Sequence, residues 1–157
     1  MERTRHRTAT IYVVNNGAVA LHDHERIGRT IPPGGHVDRG ELPHEAALRE
    51  CREETGLEAT IVDDERTETA SGRVLPRPRH QMLYDVNVHP DGEIGHQHVD
   101  DLFYASVPSR DIDPAPGEAP PSDWAWYDAD ALRSGAVDDD VITFGLEAID
   151  AVAGQNG

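Results

Sequence analysis

One stretch of 23 residues, Gly35–Leu57, constrains the fold more than any other part of the chain. It follows a glycine, continues through His44–Thr55 without an internal Gly or Pro, and then reaches Gly56. Pro43 suits the first position of a helix, where its missing N–H would be unpaired anyway. Gly56 suits a left-handed cap at the end of a helix. The pattern therefore predicts a sharp glycine turn followed by a helix.

The predicted helix has two contrasting faces. Leu48, Cys51 and Thr55 are spaced three and four residues apart, so they form a stripe that can pack on a core. Three like charges crowd another face and repel one another there: Glu50, Glu53 and Glu54. Mg²⁺ would relieve this repulsion, because it prefers oxygen ligands and shares them with substrate phosphates. A solvated acidic face is the alternative for any single glutamate.

The spacing of these residues resembles the Nudix box, GX5EX7REUXEEXGU, in which U is a bulky apolar residue. Each defined position holds a fitting residue: Gly35, Glu41, Arg49, Glu50, Cys51, Glu53, Glu54, Gly56 and Leu57. Cys51 is the mildest departure, since Ile, Leu or Val is commoner there. The resemblance implies an α/β Nudix fold, with a mixed β-sheet sandwiched between helices (α/β/α). We expect a single domain over residues 1–157.

The resemblance also implies hydrolysis of a nucleoside diphosphate linked to another group, with Mg²⁺ or Mn²⁺ as the cofactor. Glu53 and Glu54 are then expected to be metal ligands, together with the carbonyl group of Gly34. Glu50 is expected to be the general base or a bridging metal ligand. Arg49 is expected to hold a glutamate in place through a charge-assisted hydrogen bond.

Other acidic positions leave choices open. Glu41 would be either a metal ligand or a carboxylate just outside the metal. Leu42 stands where the family often has a capping Ser or Thr, so the helix cap must come from another residue. Many Nudix enzymes add a carboxylate from outside the box, and the candidates here are Glu93, Asp100, Asp101 and Glu118.

Three residues outside the box are predicted to bind substrate. Arg77 and Arg79 lie in a Pro-containing loop over residues 71–79, where they could meet a phosphate or a base. A solvated loop is the alternative for both. Trp126 could stack on a base, although a Trp at such a place more often packs in the core.

The remaining elements follow from apolar alternation and turn residues. The sequence Asn16-Gly17 predicts a hairpin turn. Strands are expected over residues 8–15, 18–22, 30–31, 59–69, 81–88, 101–107 and 124–127, and an amphipathic helix over 138–153. His96 and His98 then fall in the loop before the strand at 101–107, and their spacing fits no closed zinc site.

The sequence narrows the substrate class only weakly. In the ADP-ribose, dinucleoside polyphosphate and NADH branches, characteristic residues would fall at positions 72–75 or in a SQPWPFPxS run, and neither is present. This absence favours a nucleoside triphosphate pyrophosphatase of the MutT type. An ADP-ribose or other nucleotide-sugar pyrophosphatase is the alternative. A domain that senses nucleotides without cleaving them is a further alternative, although such domains commonly lose box glutamates.

The charge composition is unusual. All 14 basic residues are Arg, 30 residues are acidic, and the formal net charge is −16. This resembles proteins of extreme halophiles, in which self-repulsion is screened at high salt, where the Debye length is about 3 Å at 1 M. An acidic surface argues against nucleic-acid binding. With no long apolar run and no signal peptide, we expect a cytoplasmic protein without membrane contact, and a homodimer is considered because many relatives are dimers.

Overall fold

The computed structural model describes residues 2–62, 69–135 and 137–155. Its eight strands form one mixed sheet. The strands are β1 (Thr4–Asn15), β2 (Ala18–His24), β3 (Arg29–Ile31), β4 (Gly34–His36), β5 (Thr60–Ile61), β6 (His80–Val88), β7 (Ile94–Ser106) and β8 (Trp124–Asp128). The helices are α1 (Pro43–Thr55), α2 (Ala129–Ser134) and α3 (Asp139–Gln155).

Strand β1 is the centre of the sheet. It pairs in parallel with β7 and antiparallel with β2 and β4. Strands β5 and β6 pair with β7, while β3 and β8 pair with β2. The predicted hairpin turn is confirmed, because Asn16 and Gly17 both have positive φ angles, 48° and 79°. Side chains from β1 and β7 therefore meet, although about 90 residues separate them in the sequence.

Alternating residues of β1 face two separate cores. Ile11 and Val13 pack in the core that α1 covers, whereas Tyr12 and Val14 pack in the core that contains Phe144 of α3. Successive side chains of a strand point to opposite faces, so one strand serves both cores. The expected α/β/α sandwich is confirmed.

The structure corrects the predicted start of β7. We expected a loop before Asp101, but β7 begins at Ile94, so His96, His98 and Asp100 belong to the strand. The residues at the start of β7 are polar, so the sequence shows no apolar alternation that would predict a strand there. Their burial comes from the neighbouring strands and not from apolar side chains of β7 itself. This part of β7 pairs with β1 on one side and with β6 on the other.

Other boundaries differ by smaller amounts. Strand β1 begins at Thr4, four residues before the predicted start. The strand predicted over 59–69 is seen as Thr60–Ile61, and residues 63–68 of that prediction lie outside the described residues. Gly34–His36 forms strand β4, where a sharp turn was expected. In the part of the chain that the structure describes, no helix combines the length and apolar character needed to cross a membrane.

Candidate active site

Helix α1 carries the box side chains and is held at both ends. At its start, the N–H of Leu42 donates to Oε1 of Glu45 at 2.8 Å, which is one half of a capping box, while the side chain of Leu42 caps no helical N–H group. At its end, Gly56 has φ 74° and its N–H donates to the carbonyl of Arg52 at 2.8 Å. The predicted bounds and the left-handed cap are confirmed.

Arg49 is the centre of a hydrogen-bond network on this helix. Its Nε and Nη2 donate to the two oxygens of Glu41 at 2.8 and 3.1 Å. Its Nη1 donates to Glu50 at 2.9 Å and to Glu53 at 3.2 Å, and Nη2 also donates to the carbonyl of His36 at 3.0 Å. The hydrogen bonds from Arg49 hold the pKa of Glu41 below its ordinary value. One guanidinium therefore positions three carboxylates.

Two glycines let β4 lie directly against the glutamates. The N–H of Gly34 donates to Oε1 of Glu54 at 3.0 Å. A Cβ atom on Gly35 would lie 2.5 Å from Oε1 of Glu50, a distance that real Cβ atoms do not adopt. A Cβ on Gly34 would lie 2.6 Å from the carbonyl oxygen of Ala9. These glycines are required by close approach, and not by a positive φ angle.

Glu50 and Glu54 form a half-buried carboxylate pair. Burial raises the pKa of Glu54, and the charge of Glu50 adds to this effect, which outweighs the opposing N–H of Gly34. Burial also raises the pKa of Glu50, against the opposing effect of Arg49. A proton on one of the two carboxyl groups would relieve their mutual repulsion, because the charge of Glu50 raises the pKa of Glu54. A divalent cation could take the place of that proton, and an all-oxygen donor set fits Mg²⁺ or Mn²⁺.

A cavity of about 580 Å³ opens beside Glu54. Its walls are the end of β2, the turn before β3 and the loop that precedes β8. The charged or titratable residues that line it are His22, Asp23, His24, Glu25, Arg26, Glu54, Glu118 and Asp123. The volume falls within the range of roughly 300–1,000 Å³ that small-molecule sites occupy.

His22 connects this cavity to the glutamates. The side chain is buried, and its Nε2 lies 3.8 Å from Oε2 of Glu54. Burial, followed by the neighbouring His24, lowers the pKa of His22 to about 4. The His22 ring also packs against Trp124, with the ring centroids 4.4 Å apart. At neutral pH the side chain of His22, which forms the cavity wall beside Glu54, is therefore a neutral imidazole, and the indole of Trp124 packs against it.

The four candidate carboxylates from outside the box lie in different places. Glu118 lines the cavity with Glu54, and its charge contributes to the raised pKa of Glu54. Both oxygens of Asp101 accept hydrogen bonds from side chains of β1 and β6. Asp100 accepts hydrogen bonds from two threonines of β1, and Glu93 lies in the turn between β6 and β7. Of the four candidates, Glu118 is thus the one that shares a cavity with Glu54.

The predicted substrate-binding residues do not line this cavity. The guanidinium of Arg79 lies 5.7 Å from the ring centroid of Tyr104, on the sheet face that α3 covers. Arg77 is exposed in the same loop. Trp126 packs against the core under α1, and its Nε1 donates to the carbonyl of Arg110 at 3.3 Å. These positions favour a packing role for Trp126.

Sequence reasoning missed the basic residues of the cavity. His22, His24 and Arg26 lie at the end of β2 and in the turn that follows it. Arg26 follows an apolar strand, and no hydrophobic periodicity singles out its position as part of a site. The nearest sequence clue was the concentration of His and Arg in residues 22–26, in a chain with few cations.

A mixed sheet between helices, with an arginine-bound glutamate cluster on one helix, defines the class of this protein as a Nudix-type domain. The NUDIX domain family profile matches residues 4–144, and the chain belongs to this family. The chain is similar over 95% of its length to the solved structure of a NUDIX-family hydrolase from Clostridium perfringens, of which 99% is covered. The two are 29% identical, with a TM-score of 0.80.

Two curated relatives are similar over shorter stretches. An RNA pyrophosphohydrolase of Erythrobacter litoralis is 30% identical over 117 residues, which are 70% of this chain and 65% of the relative. A bis(5'-nucleosyl)-tetraphosphatase (asymmetrical) of Mus musculus is 60% identical over 40 residues, which are 24% of this chain and 27% of the relative. The matched stretches thus span less than two thirds of the length of either curated relative.

Proposed function

We propose that this chain hydrolyses a nucleoside diphosphate linked to another group, and that its substrate is a nucleoside triphosphate. The products would be a nucleoside monophosphate and pyrophosphate. The observation that carries this proposal is the contact of β4 with the Glu50–Glu54 pair at the edge of the 580 Å³ cavity. Support comes from the two curated relatives, which are named for the cleavage of a pyrophosphate and of a tetraphosphate.

The metal ligands in this proposal are Glu50, Glu53, Glu54 and the carbonyl of Gly34. A bound Mg²⁺ or Mn²⁺ would neutralise phosphate charge and make a bound water more acidic. Glu50 accepts a proton from the attacking water as the water oxygen bonds to phosphorus and the bridging P–O bond breaks. Arg49 holds Oε1 of Glu50 and so fixes the orientation of the base.

The roles of Glu41 and Glu118 follow from their contacts. Both oxygens of Glu41 accept hydrogen bonds from Arg49. Of its two expected roles, we therefore propose that Glu41 does not bind the metal and acts as a positioning residue. Glu118 adds the carboxylate from outside the box, because it lines the cavity together with Glu54. Arg26 is the cation in the cavity lining that would meet the phosphate chain.

Dinucleoside polyphosphates are the second candidate substrate class, because the mouse relative bears that activity in its name and is 60% identical over the matched stretch. ADP-ribose and other nucleotide sugars fit the same chemistry. A sensing domain without catalysis is disfavoured, since all the box glutamates are kept. An RNA substrate is disfavoured by the net charge of −16, which repels a nucleic-acid backbone.

Three further expectations belong to this proposal. The acidic composition is proposed as an adaptation to molar salt, and the cytoplasm is proposed as the compartment because nucleotide substrates are found there. A homodimer also stays a prediction, which light scattering after gel filtration would check in molar KCl.

The function is tested by measuring phosphate and pyrophosphate release with Mg²⁺ in molar KCl. The substrates are nucleoside triphosphates (including oxidised guanine), dinucleoside polyphosphates, ADP-ribose and NADH. Pyrophosphate release from a nucleoside triphosphate is expected. Glu53→Gln should lower kcat by roughly 10³-fold, since a metal ligand supplies several kcal/mol of transition-state stabilisation.

The matched control is Glu58→Gln, because Glu58 is exposed and pairs with Arg52 on the surface at 3.1 Å. This variant should keep wild-type kcat. Wild-type turnover by Glu53→Gln would contradict the assignment of the metal ligands. If no substrate of the panel were cleaved while calorimetry still showed Mg²⁺ binding, the proposed hydrolysis of these nucleotides would be wrong.

A further inference from the structure

Four histidines from three strands meet on one face of the sheet. They are His6 on β1, His36 on β4, and His96 and His98 on β7. In the parallel register of β1 and β7, His6 lies directly opposite His98. The face is the one that carries Tyr12, because His6 and Tyr12 are an even number of residues apart on β1. Glu50 lies on the opposite side, where it contacts Gly35.

The rings of three of these histidines are close enough to share one ion. One donor nitrogen each from His6, His96 and His98 lie within 4.8 Å of one another. The ring centroids of His6 and His96 are 4.4 Å apart, and those of His96 and His98 are 5.1 Å apart. The ring of His36 borders the group, with its centroid 5.1 Å from that of His98.

We infer that His6, His96 and His98 form a binding site for Zn²⁺ that is separate from the glutamate site. Three imidazoles suit a borderline ion such as Zn²⁺, whereas Mg²⁺ prefers oxygen ligands. Nitrogens that share a tetrahedral Zn²⁺ at its usual bond length are about 3.4 Å apart. The nitrogens, which lie within 4.8 Å of one another, would therefore move closer on binding, and rotation of the exposed His6 ring about its side-chain bonds can bring this about. His36 is the neighbouring candidate for a fourth ligand, since its ring centroid lies 5.3 Å from that of His6 and 5.1 Å from that of His98.

The contacts of Thr4 support this assignment. Its hydroxyl oxygen lies 2.7 Å from Nδ1 of His96 and 3.3 Å from the carbonyl oxygen of Gly95. A hydroxyl that donates to the carbonyl accepts the Nδ1 proton of His96, which leaves Nε2 with a free lone pair. Hydrogen bonds of this kind commonly orient histidines that bind metals. Thr4 therefore prepares His96 as a ligand.

The surroundings also favour a cation. Asp100 lies two residues after His98 on the same face of β7, and its Oδ2 is buried without a hydrogen-bond partner among the described residues. Arg5 and Arg7 point to the other face of the sheet, where they donate to side chains of β7.

A bound ion would connect β1 to β7 at the exposed start of β1. His6 is exposed, and both cores lie further along the strand. Because the ion binds the folded chain, it should raise the thermal midpoint as its concentration increases above the dissociation constant. The proposed role of the ion is thus to hold β1 to β7. This role does not depend on the reaction at the glutamates.

The test is calorimetric titration of the full metal-free chain with Zn²⁺ in the presence of excess Mg²⁺. Excess Mg²⁺ occupies the carboxylate site and competes weakly for imidazole. One Zn²⁺ per chain is expected. His6→Asn and His98→Asn should each weaken binding by roughly 100-fold, and Thr4→Ala by roughly tenfold, because it removes the partner that orients His96.

His80→Asn is the matched control. His80 lies on the same sheet face but opposite Leu102, four residues along β7 from His98, and it contacts Glu147 of α3. This variant should bind Zn²⁺ as the wild type does. Visible absorption of the Co²⁺-loaded chain provides a second readout, since bands typical of tetrahedral nitrogen ligation should appear in the wild type and be lost in His6→Asn.

Several results would overturn the inference. Equal Zn²⁺ affinity in the wild type and His6→Asn would exclude the cluster, and His6 is exposed enough that its substitution should leave the fold intact. Loss of Zn²⁺ binding in Glu53→Gln instead would place the ion at the glutamates. Absence of binding at micromolar Zn²⁺ would show that the four rings stand together without a metal.

Discussion

Gly35 on β4 and Glu50 on α1 are in such close contact that no side-chain atom fits between them, since a Cβ on Gly35 would lie 2.5 Å from Oε1 of Glu50. Oε1 of Glu50 also accepts a hydrogen bond from Arg49 at 2.9 Å. The glycine therefore sets where the carboxylate can lie, and Arg49 holds it there. Any larger residue at this point would have to displace the carboxylate of Glu50, because the strand lies so close to it.

Gly35→Ala is expected to lower kcat by roughly 10–100-fold while the chain stays folded. The added methyl group must displace the carboxylate of Glu50, and a base that is moved by about 1 Å loses much of its catalytic effect. Steady-state kinetics and far-UV circular dichroism check this. Gly72→Ala is the control, because a Cβ there meets no atom within 4 Å. Equal kcat for the Gly35→Ala variant and the wild type would contradict the positioning role of this contact.

Arg26→Ala should raise KM by roughly tenfold with a smaller change in kcat. Arg26 lines the cavity beside Glu54, and a charged hydrogen bond to phosphate contributes about 1.5 kcal/mol. Arg79→Ala is the informative comparison, since Arg79 contacts Tyr104 on the face that α3 covers. It should leave KM unchanged. The reverse result, a raised KM for Arg79→Ala alone, would show that the loop at 71–79 binds the substrate.

The helix of the box could be predicted from sequence because its determinants lie within a few residues of one another. Pro43 begins α1, Gly56 ends it, and the glutamate face follows from the helical period. The contact of Gly35 with Glu50 is also local, because the two residues are 15 positions apart, on β4 and on the helix that follows it. For this reason the predicted bounds of α1 and its cap match the structure.

The parts that sequence reasoning missed depend on strands far apart in the chain. His6 and His98 are 92 residues apart, and they meet only because β1 and β7 pair in parallel. The spacing of His96 and His98 alone gave no zinc pattern, since the third ligand comes from another strand. Glu118 is one of four candidate carboxylates, and the choice among them depends on a loop whose path no local pattern specifies. Register and loop path are tertiary properties, so a single sequence does not reveal them.

The contact of Tyr104 with Glu147 predicts a pH dependence of stability. The hydroxyl of Tyr104 donates to Oε2 of Glu147 at 2.6 Å, and Nε2 of His80 lies 2.7 Å from the same oxygen. The hydrogen bond from Tyr104, followed by that from His80, lowers the pKa of Glu147 below 4.5. A lowered pKa means that the charged form stabilises the fold above pH 4.5. This stabilisation is lost as the pH falls through the lower, folded-state pKa.

Glu147→Gln should therefore lower the free energy of unfolding by about 1 kcal/mol near pH 7, a small value because Glu147 is half exposed. The difference from the wild type should shrink as the pH falls below 4.5. Urea unfolding between pH 3 and pH 7 measures it, with Asp150→Asn on the same helix as a control for net charge. A difference that is constant with pH would contradict the charge-assisted hydrogen bond.

The acidic surface predicts that stability depends on salt. The chain has 30 acidic and 14 basic residues, and repulsion among its 16 excess negative charges opposes the compact state. Between 0.1 M and 1 M salt, the Debye length falls from about 10 Å to about 3 Å, so this repulsion is progressively screened. The thermal midpoint should therefore rise with KCl, as followed by circular dichroism. Because exposed ion pairs contribute little, their screening should not offset the gain.

A double variant separates screening of net charge from a general salting-out effect. Glu58→Gln and Asp130→Asn neutralise two exposed carboxylates, each in a surface ion pair, and bring the formal charge from −16 to −14. If net charge is the cause, the midpoint of this variant should rise less steeply with KCl below 1 M, where screening changes most. Above 1 M, the two proteins should respond alike, because salt then acts by strengthening apolar burial. A midpoint in dilute buffer equal to that in molar KCl would contradict the proposed adaptation, since it would show that the excess charge costs the fold little.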